Sequence, residues 1–290
     1  MKTIIAATNF SEVSNHAVAF AADVAKTIKA RLIIFNVIGL VPAMSDARLP
    51  LEACDATIEE SDKLLKELFS KIKARVNNEI EVKILYKVGS VISELNALCQ
   101  REKPFAIFIA AQFVTAFERF ILGTYAVSIA KYSAFPVVVV PLSATMTGFK
   151  KMAIAIDFKL DSSVEWRFLR NWLKLFHPQV DIVYVTSDTT APANKAAMTI
   201  NVNAQLKGFG LRYYFLTNDN VVDGIKEYIV ENKPDLLIML VNKHRFFHKS
   251  VTKPFIEAPS VPVLFLSSKF KSNVMSSAFE RPGPATDTSK

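Results

Sequence analysis

Short apolar runs alternate with amphipathic stretches along most of the chain. Ile4-Ile-Ala-Ala7, Leu32-Ile-Ile-Phe35, Ile107-Phe-Ile-Ala110 and Val137-Val-Val-Val140 are apolar at every position. Runs of this length that do not alternate are the pattern of strands buried on both faces. Between the first two, Ser11 and Glu12 open a stretch with Ala17, Phe20, Ala21, Val24 and Ile28 at steps of three and four. That spacing puts one apolar stripe on a helix. A second amphipathic stretch runs to about Val76, a strand covers Ile80 to Tyr86, and Ser90 opens a helix to about Arg101. After the fourth apolar run and a loop, Gly123-Thr124 precedes a helical pattern through Tyr132. The resulting order, βαβαβαβαβ, predicts an open parallel sheet with helices on both faces.

The pattern then starts again. Lys151-Met-Ala-Ile-Ala-Ile156 reads as a strand, and Asp157-Phe158 answers Asn9-Phe10. Strands are predicted at 180–185, 211–216, 236–240 and 261–266, with helices near 162–176, 193–206 and 221–232. Asn9 and Asp157 are offset by 148, Pro104 and Pro234 by 130, and Pro136 and Pro262 by 126. An internal repeat follows. Its second copy is shorter by 18 residues before the fourth strand and by 4 in the loop after it. The expected division is residues 1–147, residues 148–270, and a polar Pro/Gly/Ser-rich tail over 271–290 that reads as disordered.

Composition narrows the class. With 290 residues, 51% of them hydrophobic and 21% charged, the chain reads as folded protein of about two domains. No apolar run reaches the ~18–20 residues that cross a bilayer, and the N-terminus shows no signal-peptide pattern. Cys54 and Cys99 fall on predicted helices without metal spacing, which reads as a reduced, cytosolic chain. The net charge of +8 is dispersed among acidic residues, and no RNA-binding sheet motif or finger is visible. Specific nucleic-acid binding and membrane association are therefore not expected.

Candidate chemistry lies where loops leave the carboxyl ends of the strands. Gly123-Thr124 stands at a helix start, where free backbone N–H groups can hold an anion. The same pair can serve as ordinary N-capping, and both readings stay open. His244 and His248 have an i, i+4 spacing, but Lys243, Arg245 and Lys249 flank them, so a solvated basic loop is the plainer reading. His16 and His177 are lone residues on predicted helices. Asp157 and Asp161 sit at a turn and a helix start, where carboxylates cap. Phe113, Phe117 and Phe120 form a helical apolar face, read as core or as a patch for a partner. No nucleophile and base stand together.

The opening Ile4-Ile-Ala-Ala-Thr-Asn-Phe-Ser11 and the ending Gly123-Thr124 … Ala134-Phe-Pro-Val-Val-Val-Val-Pro141 resemble the universal stress protein family, in its tandem two-domain form. The likeness extends over residues 1–270. It implies two Rossmann-like, doubly wound five-stranded parallel sheets of strand order 3-2-1-4-5. It also implies that the last strands, 136–141 and 261–266, pair within one molecule as an internal pseudo-dimer, with a homodimer as the other arrangement.

Nucleotide-binding members carry a loop of the form G-x2-G-x9-G-[ST]. Here Ala110 and Phe113 stand at the first two glycines, and Gly123-Thr124 matches the last pair. The turn aspartate corresponds to Asn9, and Gln112 holds the polar loop position. The resemblance implies a first-half site of Ala7, Thr8, Asn9, Val37, Ile38, Ala110, Gln112, Gly123 and Thr124. Val37 and Ile38 would line a base and Asn9 would face a ribose. In the second half Asp157 is kept, but Leu240 and Lys249 replace glycines and only Ser250 matches. The expectation is a non-catalytic stress-response binding module with degenerate sites and no resident cofactor or metal. Adenine nucleotide is then held weakly in the first half and not in the second. The alternative is an ATP- or AMP-binding member that uses the first site only, with or without slow hydrolysis.

Overall fold

A computed structural model describes residues 1–39, 51–111, 123–157, 165–187, 195–241 and 249–267. The chain begins β1 (Thr3–Thr8), α1 (Glu12–Thr27), β2 (Arg31–Ile38), α2 (Leu51–Arg75), β3 (Val82–Val88), α3 (Val91–Glu102), β4 (Ala106–Ala110), α4 (Gly123–Tyr132) and β5 (Val137–Val140). It continues β6 (Lys151–Ala155), α5 (Trp166–Phe176), β7 (Gln179–Thr186), α6 (Lys195–Gln205), β8 (Leu211–Thr217), α7 (Val221–Asn232), β9 (Leu236–Val241), α8 (Lys249–Glu257) and β10 (Val263–Ser267).

All ten strands form one sheet, in the order β3-β2-β1-β4-β5-β10-β9-β6-β7-β8. The expected order 3-2-1-4-5 thus occurs twice. The two expected five-stranded halves join into one continuous sheet through the expected pairing of their last strands, β5 with β10. That pairing is antiparallel, with Val139 opposite Val263, Val138 opposite Leu264 and Val137 opposite Phe265. Every other neighbouring pair is parallel. The seam has a plain cause. Alone, each apolar last strand would be an unpaired edge that invites association, and here each covers the other.

The seam also fixes where function can sit. Within each half the strands run one way, and the antiparallel seam reverses the second half. The carboxyl ends of β1, β2 and β4 therefore open at one end of the molecule, and those of β6, β7 and β9 at the opposite end.

Side-chain alternation builds two core layers. Ile4, Ala6, Leu32 and Ile34 pack with the apolar stripes of α1, α2, α5 and α6. Ile5, Ile33 and Phe35 pack with α3, α4, α7 and α8 on the other face. Both layers run across the seam. Phe105, just before β4, stacks on Trp172 of α5 with centroids 5.0 Å apart and rings within 5° of parallel. Phe149, Phe168 and Phe176 complete this cluster around the indole.

The repeat shows in local backbone as well. Lys103 and Lys233 both end helices in the left-handed conformation, at φ 44° and 47°. Their N–H groups donate to the carbonyls of Cys99 and Ile229, each at 2.8 Å. Pro104 and Pro234 follow, so each helix is stopped twice over. The 271–290 tail and the aromatic face of Phe113, Phe117 and Phe120 lie outside the described residues. Among the described residues, no helix is long and apolar enough to cross a membrane.

Candidate functional site

The first-half mouth is built on the turn from β1 to α1. Thr8 is buried, Ala7 and Phe10 are half-buried and Asn9 is exposed. Phe10 has φ 66°, a left-handed conformation that costs a non-glycine residue roughly 1–2 kcal/mol. The turn is held in that shape by short polar side chains. Asn9 Oδ1 accepts from the Ser11 N–H at 3.1 Å and from Ser11 Oγ at 2.7 Å. Thr8 Oγ1 accepts from the Phe10 N–H at 2.9 Å and donates to Asn15 Oδ1 at 3.0 Å. Ser14 Oγ donates to the Ser11 carbonyl at 2.9 Å, and Asn15 Nδ2 to the Phe10 carbonyl at 3.0 Å. Ser11 caps α1 by accepting from the Ser14 N–H.

This arrangement has a chemical consequence. The hydroxyls of Thr8, Ser11 and Ser14 are committed to one another and to the backbone. His16 Nε2 is enclosed and bonded to none of them. What Asn9 leaves for a ligand is its amide N–H2, because its carbonyl oxygen is taken twice by Ser11. The turn offers a donor to the outside and no charge.

Beside Thr8 in register stands Asn36 of β2. It is 5% exposed, and its Nδ2 donates to the Thr8 carbonyl at 2.9 Å. Its Oδ1 is buried and has no hydrogen-bond partner among the described residues. Val37 and Ile38 follow at the strand end, both half-buried. Ala110, half-buried, ends β4, next to Val140 of β5. The structure therefore brings Ala7, Thr8, Asn9, Val37, Ile38 and Ala110 to one edge of the sheet. Gly123 opens α4, with Thr124 second. Gln112 lies outside the described residues, as does Phe113. The sequence reading missed Asn36, although a lone amide inside Leu32-Ile-Ile-Phe-Asn-Val37 is a visible signal.

At the opposite end, Asp157 follows β6 and is 9% exposed. Leu240, at the end of β9, packs half-buried against the core. Lys249 and Ser250 open α8. His244, His248 and the basic residues around them lie outside the described residues. Among the described residues, no group of three or more His, Cys, Asp or Glu side chains could hold a metal ion.

A buried ionic cluster lies away from both mouths, near the amino ends of β6 and β7. Asp181 is fully buried and takes Arg212 Nε at 2.8 Å and Nη2 at 3.0 Å. The Tyr228 hydroxyl donates to Asp181 Oδ2, and Lys151 Nζ is 3.7 Å from the same oxygen. Burial, then the hydrogen bond to Asp181, raises the Tyr228 phenol well above its usual range. This is a structural tie. The first half has a smaller counterpart, in which Arg31 reaches Thr3 Oγ1 at 2.9 Å and Glu102 at 2.6 Å. The hydrogen bond from Arg101 and the charge of Arg31 hold the Glu102 carboxyl below its usual range.

Residues 1–141 match the model of the universal stress protein family. The match spans just under half of the chain, and it is the half that carries the first mouth. Solved structures extend the fold over both halves. A universal stress protein from Archaeoglobus fulgidus DSM 4304 aligns with a TM-score of 0.72 at 17% identity, covering 90% of this chain and 94% of that one. A functionally unknown protein from Pseudomonas aeruginosa PAO1 aligns with a TM-score of 0.56 at 11% identity, covering 96% and 95%. The cytoplasmic domain of a prokaryotic cation chloride cotransporter aligns with a TM-score of 0.52 at 8% identity, covering 94% and 98%. At these identities the likeness is one of fold. No curated protein matches the sequence. The two halves here share one sheet, and their two mouths face away from each other.

Proposed function

We propose that this chain is a non-catalytic, cytoplasmic universal stress protein of tandem form, a stress-response binding module with one weak adenine-nucleotide site. The site is the first-half mouth. The observation that carries the reading is the self-satisfied turn: its three hydroxyls are bonded to one another and to the backbone, and none is placed as an activated nucleophile. The mouth retains elements that suit a nucleoside, with Val37 and Ile38 at the end of β2 and the exposed Asn9 amide beside them. It is poor for a triphosphate. The sequence puts Phe113 where a glycine allows close approach of backbone to phosphate. Asn9 has no charge to offer a ribose and keeps its carbonyl oxygen for Ser11. The second mouth binds no nucleotide, since Leu240 stands half-buried against the core where a glycine is needed and the loop is four residues shorter.

Isothermal titration of ATP into the wild type and into the Asn9→Asp/Phe113→Gly double variant tests this. The wild type should bind with a dissociation constant above roughly 0.1 mM, weaker than about 5.5 kcal/mol. The double variant should bind more tightly, because it removes a ring and restores a carboxylate. Micromolar affinity in the wild type, or no gain in the variant, overturns the reading.

A further inference from the structure

Asn36 is the polar exception in an apolar strand, and it has a half-used side chain. Its Nδ2 is fixed by donation to the Thr8 carbonyl at 2.9 Å, which identifies the other atom as the carbonyl oxygen. That oxygen is buried and accepts from no group among the described residues. A buried acceptor without a partner is destabilising, and native structures retain few of them. This one lies across the carboxyl ends of β1 and β2, where open parallel sheets receive their ligands. It is also adjacent in sequence to Val37 and Ile38 at the strand end.

We propose that Asn36 is a specificity-determining residue of the first-half mouth: its Oδ1 accepts a hydrogen bond from the exocyclic amino group of a 6-aminopurine. This rests on the reading of that mouth as a nucleotide site. The oxygen can only accept. A 6-oxopurine would set a second acceptor against it, leaving both unpaired and repelling each other. Sites that hydrogen-bond a ligand group reject analogues that lack it far more strongly than apolar pockets do. The mouth therefore discriminates by base, while its weak phosphate contacts set the overall affinity.

The test compares AMP with IMP, which differ at this amino group, by ligand-observed NMR titration of the full chain up to about 10 mM, the range suited to weak binding. The wild type should bind AMP roughly tenfold to a hundredfold more tightly than IMP. Asn36→Leu should bring the two affinities together. Asn36→Ser, whose hydroxyl can donate or accept, should do the same and stands in if the leucine variant does not fold. Equal binding of AMP and IMP to the wild type overturns this inference and leaves the nucleotide site standing. A preference for AMP that survives both substitutions overturns it too, because another group then reads the base. Binding of neither nucleotide overturns the nucleotide site itself, and the inference with it.

Discussion

Asp181→Asn is the substitution whose cost the structure specifies most closely. Asp181 is fully buried, and its two oxygens divide the work. Oδ1 takes Arg212 Nε, while Oδ2 takes Arg212 Nη2 and the Tyr228 hydroxyl, with Lys151 Nζ near it. An amide placed with its oxygen at the Oδ2 position points N–H2 at Arg212 Nε, donor against donor. The reverse placement faces three donors with a fourth. Breaking a buried ion pair typically costs about 3–5 kcal/mol. The Arg212 side chain is 48% exposed and can turn back to water, which puts the expected loss near the lower figure. At about 2–4 °C per kcal/mol for a protein of this size class, the melting temperature should fall by roughly 6–12 °C. Differential scanning calorimetry reads it. Replacing Asp181, Arg212 and Tyr228 together by Leu, Leu and Phe should recover much of the loss, since apolar substitutes for buried ion clusters are often neutral. A shift under about 2 °C for Asp181→Asn would refute the assignment of this cluster as a structural tie.

Three further outcomes are expected. The Tyr228 phenol is raised by burial and by Asp181, so its contribution is full below the unfolded value of about 10 and is lost as pH rises beyond it; alkaline unfolding should start there and be blunted in Tyr228→Phe. Trp172→Ala should cost about 3–5 kcal/mol by chemical denaturation, because the indole is fully buried and joins the halves through Phe105. Trp172→Phe should cost far less, since it also removes a buried N–H that has no partner among the described residues. Burial pushes the Cys99 thiol up to about 12, so in Cys54→Ser protein it should resist thiol reagents at pH 8 until denaturant is added.

Much of this architecture was legible in the sequence because the strands are buried on both faces and read as unbroken apolar runs. The Lys-Pro pairs that marked the repeat turned out to be left-handed helix caps, so the sequence signal and its physical cause coincide at Lys103 and Lys233. Val137-Val-Val-Val140 and Val263-Leu-Phe-Leu266 announced the seam, since neither could remain an edge. The antiparallel sense and register of that seam depend on long-range geometry that no local pattern encodes. The site was legible only as positions. Which atom of Asn9 is free depends on the Ser11 hydroxyl 2.7 Å away, and that is a matter of rotamer. Asn36 and Asp181 were both readable as polar interruptions of apolar strands, but the interruption alone does not separate an unpaired acceptor at a mouth from a satisfied charge at the other end of a strand.

The central claim is that one mouth of the two binds adenine nucleotide. Backbone amide NMR of the full chain titrated with AMP tests it most directly. The account predicts fast-exchange shift changes at Thr8, Asn9, Asn36, Val37 and Ile38, with Asp157 and Thr186 unmoved at the opposite end of the sheet. Shifts centred on Asp157 with the first mouth silent, or none at either end, would contradict it.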